Sequence, residues 1–234
     1  MAVKPILPSI RVVPLGGDAG TLRLSQRDRE HLAGIATLMH VGPGSIFYER
    51  GREAGWMYNI VSGTVCTFRR LDDGAERITA FLFAEDLFGL ARRGRYVNSA
   101  RAVTPVSAFR LPLESLTSLL LRDASLQFRF LCKAAHALRE TQRRALILTR
   151  HDPVERVAMF LALMEEAQGD KRPGDRVIAL PMNRRDIGSF LNLTTGAVDA
   201  ALGALAQRGV IGRLDDGSVI VLNRERFQAA GFDD

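Results

Sequence analysis

The side chains that could carry out chemistry are few and widely spaced. Two cysteines, Cys66 and Cys132, lack the CxxC spacing of a disulfide framework or a four-ligand metal site. We interpret both as small buried hydrophobic residues, with a redox role of Cys132 as an open alternative. The four histidines have no identifiable second ligand and are interpreted as surface or core residues; they are His31, His40, His136 and His151. We therefore expect neither a metal nor a cofactor.

Catalytic motifs are also missing from the sequence. The chain contains no GxSxG, no HExxH, no phosphate-binding glycine loop and no dinucleotide fingerprint. We expect a protein that is not an enzyme. The N-terminus has no continuous apolar core of a signal peptide, and no run approaches 18 apolar residues, so a cytoplasmic protein without a membrane partner is predicted.

Arginines are the remaining candidates, and the net charge of +6 would suit a nucleic-acid partner. Their distribution argues differently, because residues 152–234 contain ten Lys and Arg against thirteen Asp and Glu. Within that acidic segment Arg184, Arg185, Arg208 and Arg213 could contact phosphates, although an ordinary solvated face would look the same. Basic composition alone therefore does not identify a DNA-binding segment.

The elements that must position these residues change in character along the chain. Residues 1–20 form a predicted N-terminal arm, and helical spacing over 25–39 predicts a short helix capped by Ser25. From 41 to 113, short runs such as WMYNIVSG, TVCTFRRL, RITAFLF and VSAFRL alternate with glycines, and Leu71 to Gly74 supply a hairpin turn. Many short strands with glycine-rich turns predict an antiparallel barrel or jelly roll.

A long helix is predicted from Asp123 to Thr149, with a length of about 40 Å at 1.5 Å per residue. Apolar and small residues recur along it at alternating three and four spacing, as in a coiled-coil seam. The alternative is a helix that lies on its own barrel. The predicted seam consists of Phe128, Leu131, Ala135, Leu138, Gln142 and Ala145.

The C-terminal third has the pattern of a winged helix-turn-helix. Asp152 and Pro153 end the long helix and begin a new one, whose core face is formed by Val157, Phe160, Leu161 and Met164. RRDIGSFLNL and TTGAVDAALGALAQRG predict two further helices, followed by a two-stranded wing around 215–217. In these helices Asn192 suits a left-handed turn, Thr194 or Thr195 suits a cap, and Gly209 suits the helix end. The predicted apolar spine is Ile187, Leu191, Val198, Leu202 and Leu205.

The order of these elements, with the phrase LPMNRRDIGSFLNLT, resembles the Crp/Fnr family of bacterial transcription regulators, and its Fnr and FixK-like branches in particular. The resemblance covers about residues 25–225. It implies an α+β protein with an N-terminal cyclic-nucleotide-binding-like β jelly roll, a long dimerisation helix and a C-terminal winged helix-turn-helix. The domains implied are an arm at 1–20, a jelly-roll sensor at 21–122, a dimerisation helix at 123–150 and a DNA-binding-type domain at 151–234.

The resemblance also implies where DNA is contacted. The DNA-binding positions are Arg184, Arg185, Thr194, Thr195, Gly196, Ala197, Asp199 and Ala200. In the family a Glu and an Arg of the recognition helix read bases, but Gly196 and Ala200 occupy their places here. Each good contact contributes roughly 1–3 kcal/mol of discrimination. Losing two base-reading side chains in each half-site of a dimer therefore removes about 4–12 kcal/mol of discrimination. This is as large as the whole free-energy difference between specific and non-specific DNA binding, about 4–10 kcal/mol.

On the effector side, Crp-like members hold cyclic AMP with a Glu in an FGE segment and an Arg before a Ser or Thr. The corresponding segments of this sequence are Phe88-Gly89-Leu90-Ala91 and Asn98-Ser99-Ala100, and neither the Glu nor the Arg is present in them. We predict that cyclic AMP is not the effector, and that nearby arginines could attract another anion. The predicted effector-pocket residues are Phe88, Gly89, Leu90, Arg92 and Ser99.

The resulting prediction is a homodimeric DNA-binding transcriptional regulator that responds to an unidentified small-molecule effector or redox signal. The signal would pass through the long helix, and RNA polymerase is a further partner that the resemblance allows. The alternative is a degenerate sensor or protein-interaction module that keeps the shape but no longer recognises a specific DNA sequence.

Overall fold

The structure is a computed structural model, and it describes residues 26–168 and 177–231. The predicted N-terminal arm, the Ser25 cap and the polar loop at 169–176 lie outside the described residues. The chain divides into two compact units. The first contains residues up to 69 together with 79–141, and the second contains 70–78 together with 142–234.

The first unit is built around two four-stranded sheets, which confirms the predicted β jelly roll. One sheet has the order β1 (Thr37–Val41), β10 (Val106–Pro112), β3 (Trp56–Ser62) and β6 (Leu87–Phe88). The other has the order β2 (Ile46–Tyr48), β9 (Ser99–Ala102), β4 (Val65–Arg70) and β5 (Glu76–Leu82). A short ribbon joins β7 (Ala91–Arg92) to β8 (Arg95–Tyr96).

The core between the two sheets takes side chains from both. Tyr58, Ile60 and Ala108 come from the first sheet, and Val65 and Ala102 from the second. Alternation along each strand turns these residues inward. The jelly roll is therefore a packed body with its own hydrophobic core.

Three helices complete this part of the chain: α1 (Gln26–Ile35), α2 (Leu113–Leu120) and α3 (Ala124–Thr149). The predicted helix over 25–39 is confirmed from Gln26 to Ile35 and was wrong only in its last four residues, since the chain from Thr37 onward forms β1. There the backbone pairs with β10 and places Met39 opposite Ala108. The apolar residues of this segment fit the alternation of a strand as well as the spacing of a helix. The long-range hydrogen bonds between β1 and β10 therefore decide in favour of the strand.

The long helix is confirmed as α3, whose 26 residues follow Asp123. The Asp123 carboxylate accepts a hydrogen bond from the Leu126 amide at 3.0 Å and so satisfies one open N–H of the first turn. On the barrel side α3 buries Leu126 and Cys132 in a second core cluster with Phe109 and Leu116. The Cys132 thiol therefore lies inside the protein core.

The second unit holds the helix-turn-helix. Its elements are α4 (Pro153–Ala167), β11 (Val177–Ile178), α5 (Arg184–Leu191), α6 (Thr195–Gln207), β12 (Ile211–Arg213), β13 (Val219–Val221) and α7 (Arg224–Gly231). The three strands form a small antiparallel sheet in the order β11, β13, β12, so the wing has one strand more than predicted. The predicted core residues of α4 and the apolar spine of α5 and α6 are all buried.

Candidate nucleic-acid interface

Side-chain caps fix the starts of α4, α5 and α6 in the second unit. Asp152 accepts from the Val154 amide, Asn183 from the Asp186 amide and Thr194 from the Ala197 amide. These bonds satisfy N–H groups that have no partner within the helix. The caps of α4 and α6 were predicted from the sequence, and the α5 cap at Asn183 was not.

The turn between α5 and α6 depends on a left-handed residue and a close backbone approach. Asn192 ends α5 with φ of +56°, as predicted. Gly188 carries its carbonyl toward the turn and accepts from the Leu193 amide at 2.9 Å. A Cβ on Gly188 would lie 2.6 Å from the Leu193 carbonyl oxygen, so no larger residue fits without moving the backbone.

Three arginines donate hydrogen bonds to the α5–α6 turn, to the Asn192 side chain and to the backbone carbonyls at its start. Arg77 donates to the Asn192 Oδ1 at 2.8 Å, and Arg156 donates to the Asn192 carbonyl at 3.4 Å. Arg144 donates to the Phe190 carbonyl at 3.3 Å and stands over the Phe190 ring at 4.8 Å. Burial lowers the pKa of Arg144 below its usual range, and the nearby Arg77 charge adds to this shift.

The segment 70–78 also contacts α5 directly, within the second unit. Ser189 Oγ accepts from the Ile78 amide at 2.9 Å and donates to the Glu76 carbonyl. Arg144 donates to the Ile78 carbonyl at 2.7 Å. The hairpin tip, whose turn at Gly74 was predicted correctly, is thereby joined to the first helix of the helix-turn-helix. Nothing in the local sequence of this segment indicates the contact.

The exposed face of α6 is made of small residues. Thr194, Thr195, Gly196, Asp199 and Ala200 are exposed, whereas Ala197 is partly buried. A Cβ built on Gly196 would meet nothing within 4 Å, and the same holds for Gly203 one turn beyond Asp199. We call the surface formed by Thr195, Gly196, Asp199, Ala200 and Gly203 the reading face.

Asp199 is paired with an arginine of α5. The Arg184 Nε lies 3.2 Å from the Asp199 Oδ1, with 25% of the Arg184 side chain and 51% of the Asp199 side chain exposed. The other three candidate phosphate contacts, Arg185, Arg208 and Arg213, are exposed. Three exposed arginines are therefore placed where they could contact DNA phosphates, whereas Arg184 is paired with Asp199 of the reading face.

The predicted effector residues all lie within the jelly roll, some buried and some exposed. The Phe88 ring packs 5.0 Å from both Phe47 and Tyr58, and the Ser99 Oγ accepts from the Arg50 amide at 3.0 Å. Gly89 is buried, whereas Leu90 and Arg92 are exposed. Leu90, which the resemblance places at the position of the family's Glu, is therefore exposed to solvent.

Aromatic side chains fill the neighbouring interior. Tyr48 stacks on Tyr96 with ring centroids 3.9 Å apart, and Tyr58 stacks on Phe88 at 5.0 Å. Burial raises the pKa of both Tyr48 and Tyr58 above the usual range, because the ionised phenolate would lose its hydration. A surface cavity of about 440 Å³ lies beside this stack. Its described lining includes none of the five predicted effector residues.

A buried ion pair joins α3 to the jelly roll. The Lys133 Nζ lies 2.8 Å from the Asp86 Oδ1, and the Lys133 side chain is only 8% exposed. The second carboxylate oxygen of Asp86 accepts from the Phe83 amide at 3.0 Å. Sequence reasoning missed this pair, because Asp86 lies in a turn and Lys133 in a helix 47 residues later.

Comparison with known proteins agrees with this geometry. A cyclic nucleotide-binding domain model matches residues 38–123, and a Crp-like helix-turn-helix domain model matches residues 155–230. The chain is 29% identical over 213 residues to the transcriptional activatory protein AadR of Rhodopseudomonas palustris, covering 88% of this chain and 86% of AadR. It is 27% identical over 187 residues to the nitrogen fixation regulation protein FixK of Rhizobium meliloti, covering 80% of this chain and 83% of FixK.

The solved structure of FixK2 from Bradyrhizobium japonicum matches with a TM-score of 0.79 and 29% identity, over 86% of this chain and 99% of FixK2. The chain belongs to the Crp/Fnr family of transcriptional regulators. As a Crp/Fnr regulator it is a DNA-binding protein, and α5 and α6 form its helix-turn-helix.

In this Crp/Fnr regulator, α6 has a side-chain cap, a buried apolar face and an exposed face of small residues. The cap at Thr194 and the buried spine agree with the sequence prediction, and the predicted base-reading positions Gly196 and Ala200 are exposed. Among the described residues no group of three His, Cys, Asp or Glu could hold a metal ion, and no helix is long and apolar enough to cross a membrane. The individual DNA-contacting and effector residues stay predictions.

Proposed function

We propose that the protein is a cytoplasmic bacterial homodimer that binds a two-fold symmetric DNA site and responds to a signal other than a cyclic nucleotide. We further infer that it has no enzymatic activity, since its relatives are transcription regulators. RNA polymerase is the expected protein partner of such a regulator. The observation that carries the proposal is the apolar stripe of α3.

The stripe consists of the predicted seam residues, and its large members are exposed to solvent. Phe128 is 51% exposed, and Leu131 and Leu138 are each 60% exposed. Gln142 and Ala145 continue the exposed line, and Ala135 is partly buried. Exposed large apolar residues in one line along a helix favour pairing with a second copy of the same helix. Such a pair would present two recognition helices to the two half-sites of a palindrome.

The dimer is tested by charge placed inside and outside the stripe. We expect the wild-type protein to be dimeric at micromolar concentration by sedimentation velocity, and Leu138→Glu to be monomeric because two carboxylates would face each other across the seam. Ala137→Glu is the matched control, since it adds the same charge to an exposed neighbour outside the stripe. A monomeric wild type, or equal behaviour of the two variants, would count against the seam.

Sequence-specific binding is supported by the intact helix-turn-helix and the exposed arginines around it. Its test is retention of genomic fragments across a salt series. Selective retention that persists at physiological salt supports the proposal, whereas phosphate contacts alone lose affinity steeply as salt rises. Uniform weak binding would favour the second candidate, a degenerate interaction module. The absence of the usual readers at Gly196 and Ala200 is the observation in favour of that alternative.

The proposed signal is not a cyclic nucleotide because the phosphate would find no cation at its expected place. The resemblance places Asn98 at the position of the family's phosphate-binding Arg and Leu90 at that of its Glu. The Asn98 Oδ1 accepts a hydrogen bond from the Tyr48 hydroxyl at 3.4 Å. Titration calorimetry with cyclic AMP is expected to give no heat of binding. Micromolar affinity for cyclic AMP would overturn this part of the proposal.

A further inference from the structure

The reading face contains a single charged group, and that group is an acid. Asp199 is the only charged residue in the sequence of α6, and about half of its side chain is exposed. Bases offer a carboxylate only one kind of partner in the major groove, an exocyclic amino group that donates hydrogen bonds. An acid on this face is therefore able to discriminate between bases.

A carboxylate needs a neutralising partner before it approaches DNA, because phosphates repel it. Arg184 supplies that partner through the 3.2 Å contact between its Nε and the Asp199 Oδ1. A carboxylate accepts several hydrogen bonds on its two oxygens, so the ion pair does not exhaust Asp199. The pair also fixes the side chain on the exposed side of α6, where a base edge would lie.

The small neighbours of Asp199 allow a close approach. A Cβ on Gly196 or Gly203 would meet nothing within 4 Å, so the space over both glycines is open. A recognition helix without long side chains can lie deeper in the groove, which brings a short aspartate within reach of a base. Ala200 adds a methyl group that suits contact with thymine.

We propose that Asp199, held by Arg184, is the specificity-determining residue of this regulator and reads the N4 amino group of a cytosine. Cytosine is favoured over adenine because the adenine amino group lies beside the N7 acceptor, which repels a carboxylate. Each half-site then contains a C·G pair at the position that faces Asp199. The inference rests on the proposed binding to a symmetric DNA site.

The test is selection of random duplexes by the full-length protein at one fixed salt concentration. For the wild type we expect cytosine enrichment at one symmetric position of each half-site, by roughly 5- to 150-fold over other bases. Asp199→Ala is expected to lose the preference at that position alone. Asp199→Asn is expected to shift it toward adenine, since a carboxamide pairs with the adenine N6 and N7.

The possible outcomes separate the two proposals. A selected motif that is identical in the wild type and Asp199→Ala overturns the assignment of the reader and leaves the DNA-binding function intact. Tighter binding of Asp199→Ala to every duplex, with a steeper salt dependence, also overturns it and shows that Asp199 only withholds Arg184 from phosphates. A wild-type protein that selects no sequence overturns both proposals.

Discussion

At the scale of single residues, two helical glycines of the helix-turn-helix differ in whether a larger side chain would fit in their place. Gly188 has no room for a side chain, because its Cβ position lies 2.6 Å from the Leu193 carbonyl oxygen. Gly203 lies within α6 with open space above it. The fold therefore requires glycine at position 188 and would tolerate alanine at position 203, a difference that the sequence alone does not show.

We expect Gly188→Ala to lower the free energy of unfolding of the second unit by about 1–3 kcal/mol, because the added methyl group displaces backbone at the α5–α6 turn. Gly203→Ala is the matched control and is expected to raise the same quantity by about 1 kcal/mol through helix propensity. Urea unfolding followed by far-ultraviolet circular dichroism measures both. Equal effects of the two variants would contradict the close approach at Gly188.

At the scale of elements, a buried ion pair adds to the apolar packing that attaches α3 to the jelly roll. The Lys133 ammonium reaches the Asp86 carboxylate of the turn before β6 at 2.8 Å. Removing one partner of such a pair leaves a charge without compensation and typically costs about 3–5 kcal/mol. Because a quarter of the Asp86 side chain remains exposed, the lower end of that range applies here.

We expect Lys133→Met to lower the free energy of unfolding of the first unit by about 3 kcal/mol. Adding Asp86→Asn should recover part of this loss, because the carboxamide keeps an acceptor for the Phe83 amide and carries no charge. Fluorescence of Trp56 during urea unfolding reports the first unit. Strictly additive losses in the double variant would argue against direct coupling of the two residues.

The elements themselves were largely predictable, and their contacts were not. The Asp152 cap, the left-handed Asn192 and the hairpin turn at Gly74 follow local rules that act within four residues. The Arg184 to Asp199 pair joins two helices, and Ser189 contacts a segment more than 100 residues earlier in the chain. Such pairings depend on tertiary packing, which no local pattern encodes.

At the scale of the whole molecule, the aromatic residues are divided unequally between the two units. All three tyrosines and the single tryptophan lie in the first unit; they are Tyr48, Tyr58, Tyr96 and Trp56. Burial raises the pKa of Tyr48 and Tyr58 above the ordinary value near 10. The two units should therefore respond differently to alkaline conditions.

Above about pH 10 an unfolded chain releases its tyrosine protons, while the folded jelly roll retains those of Tyr48 and Tyr58. The unfolded state then binds fewer protons, so the free energy of unfolding falls as pH rises above 10. We expect the urea midpoint from Trp56 fluorescence to fall between pH 9 and pH 11. The slope should be shallower in Tyr48→Phe, whose ring keeps the stacking on Tyr96 without a titratable group. An unchanged slope in that variant would show that the buried phenol does not drive the alkaline response.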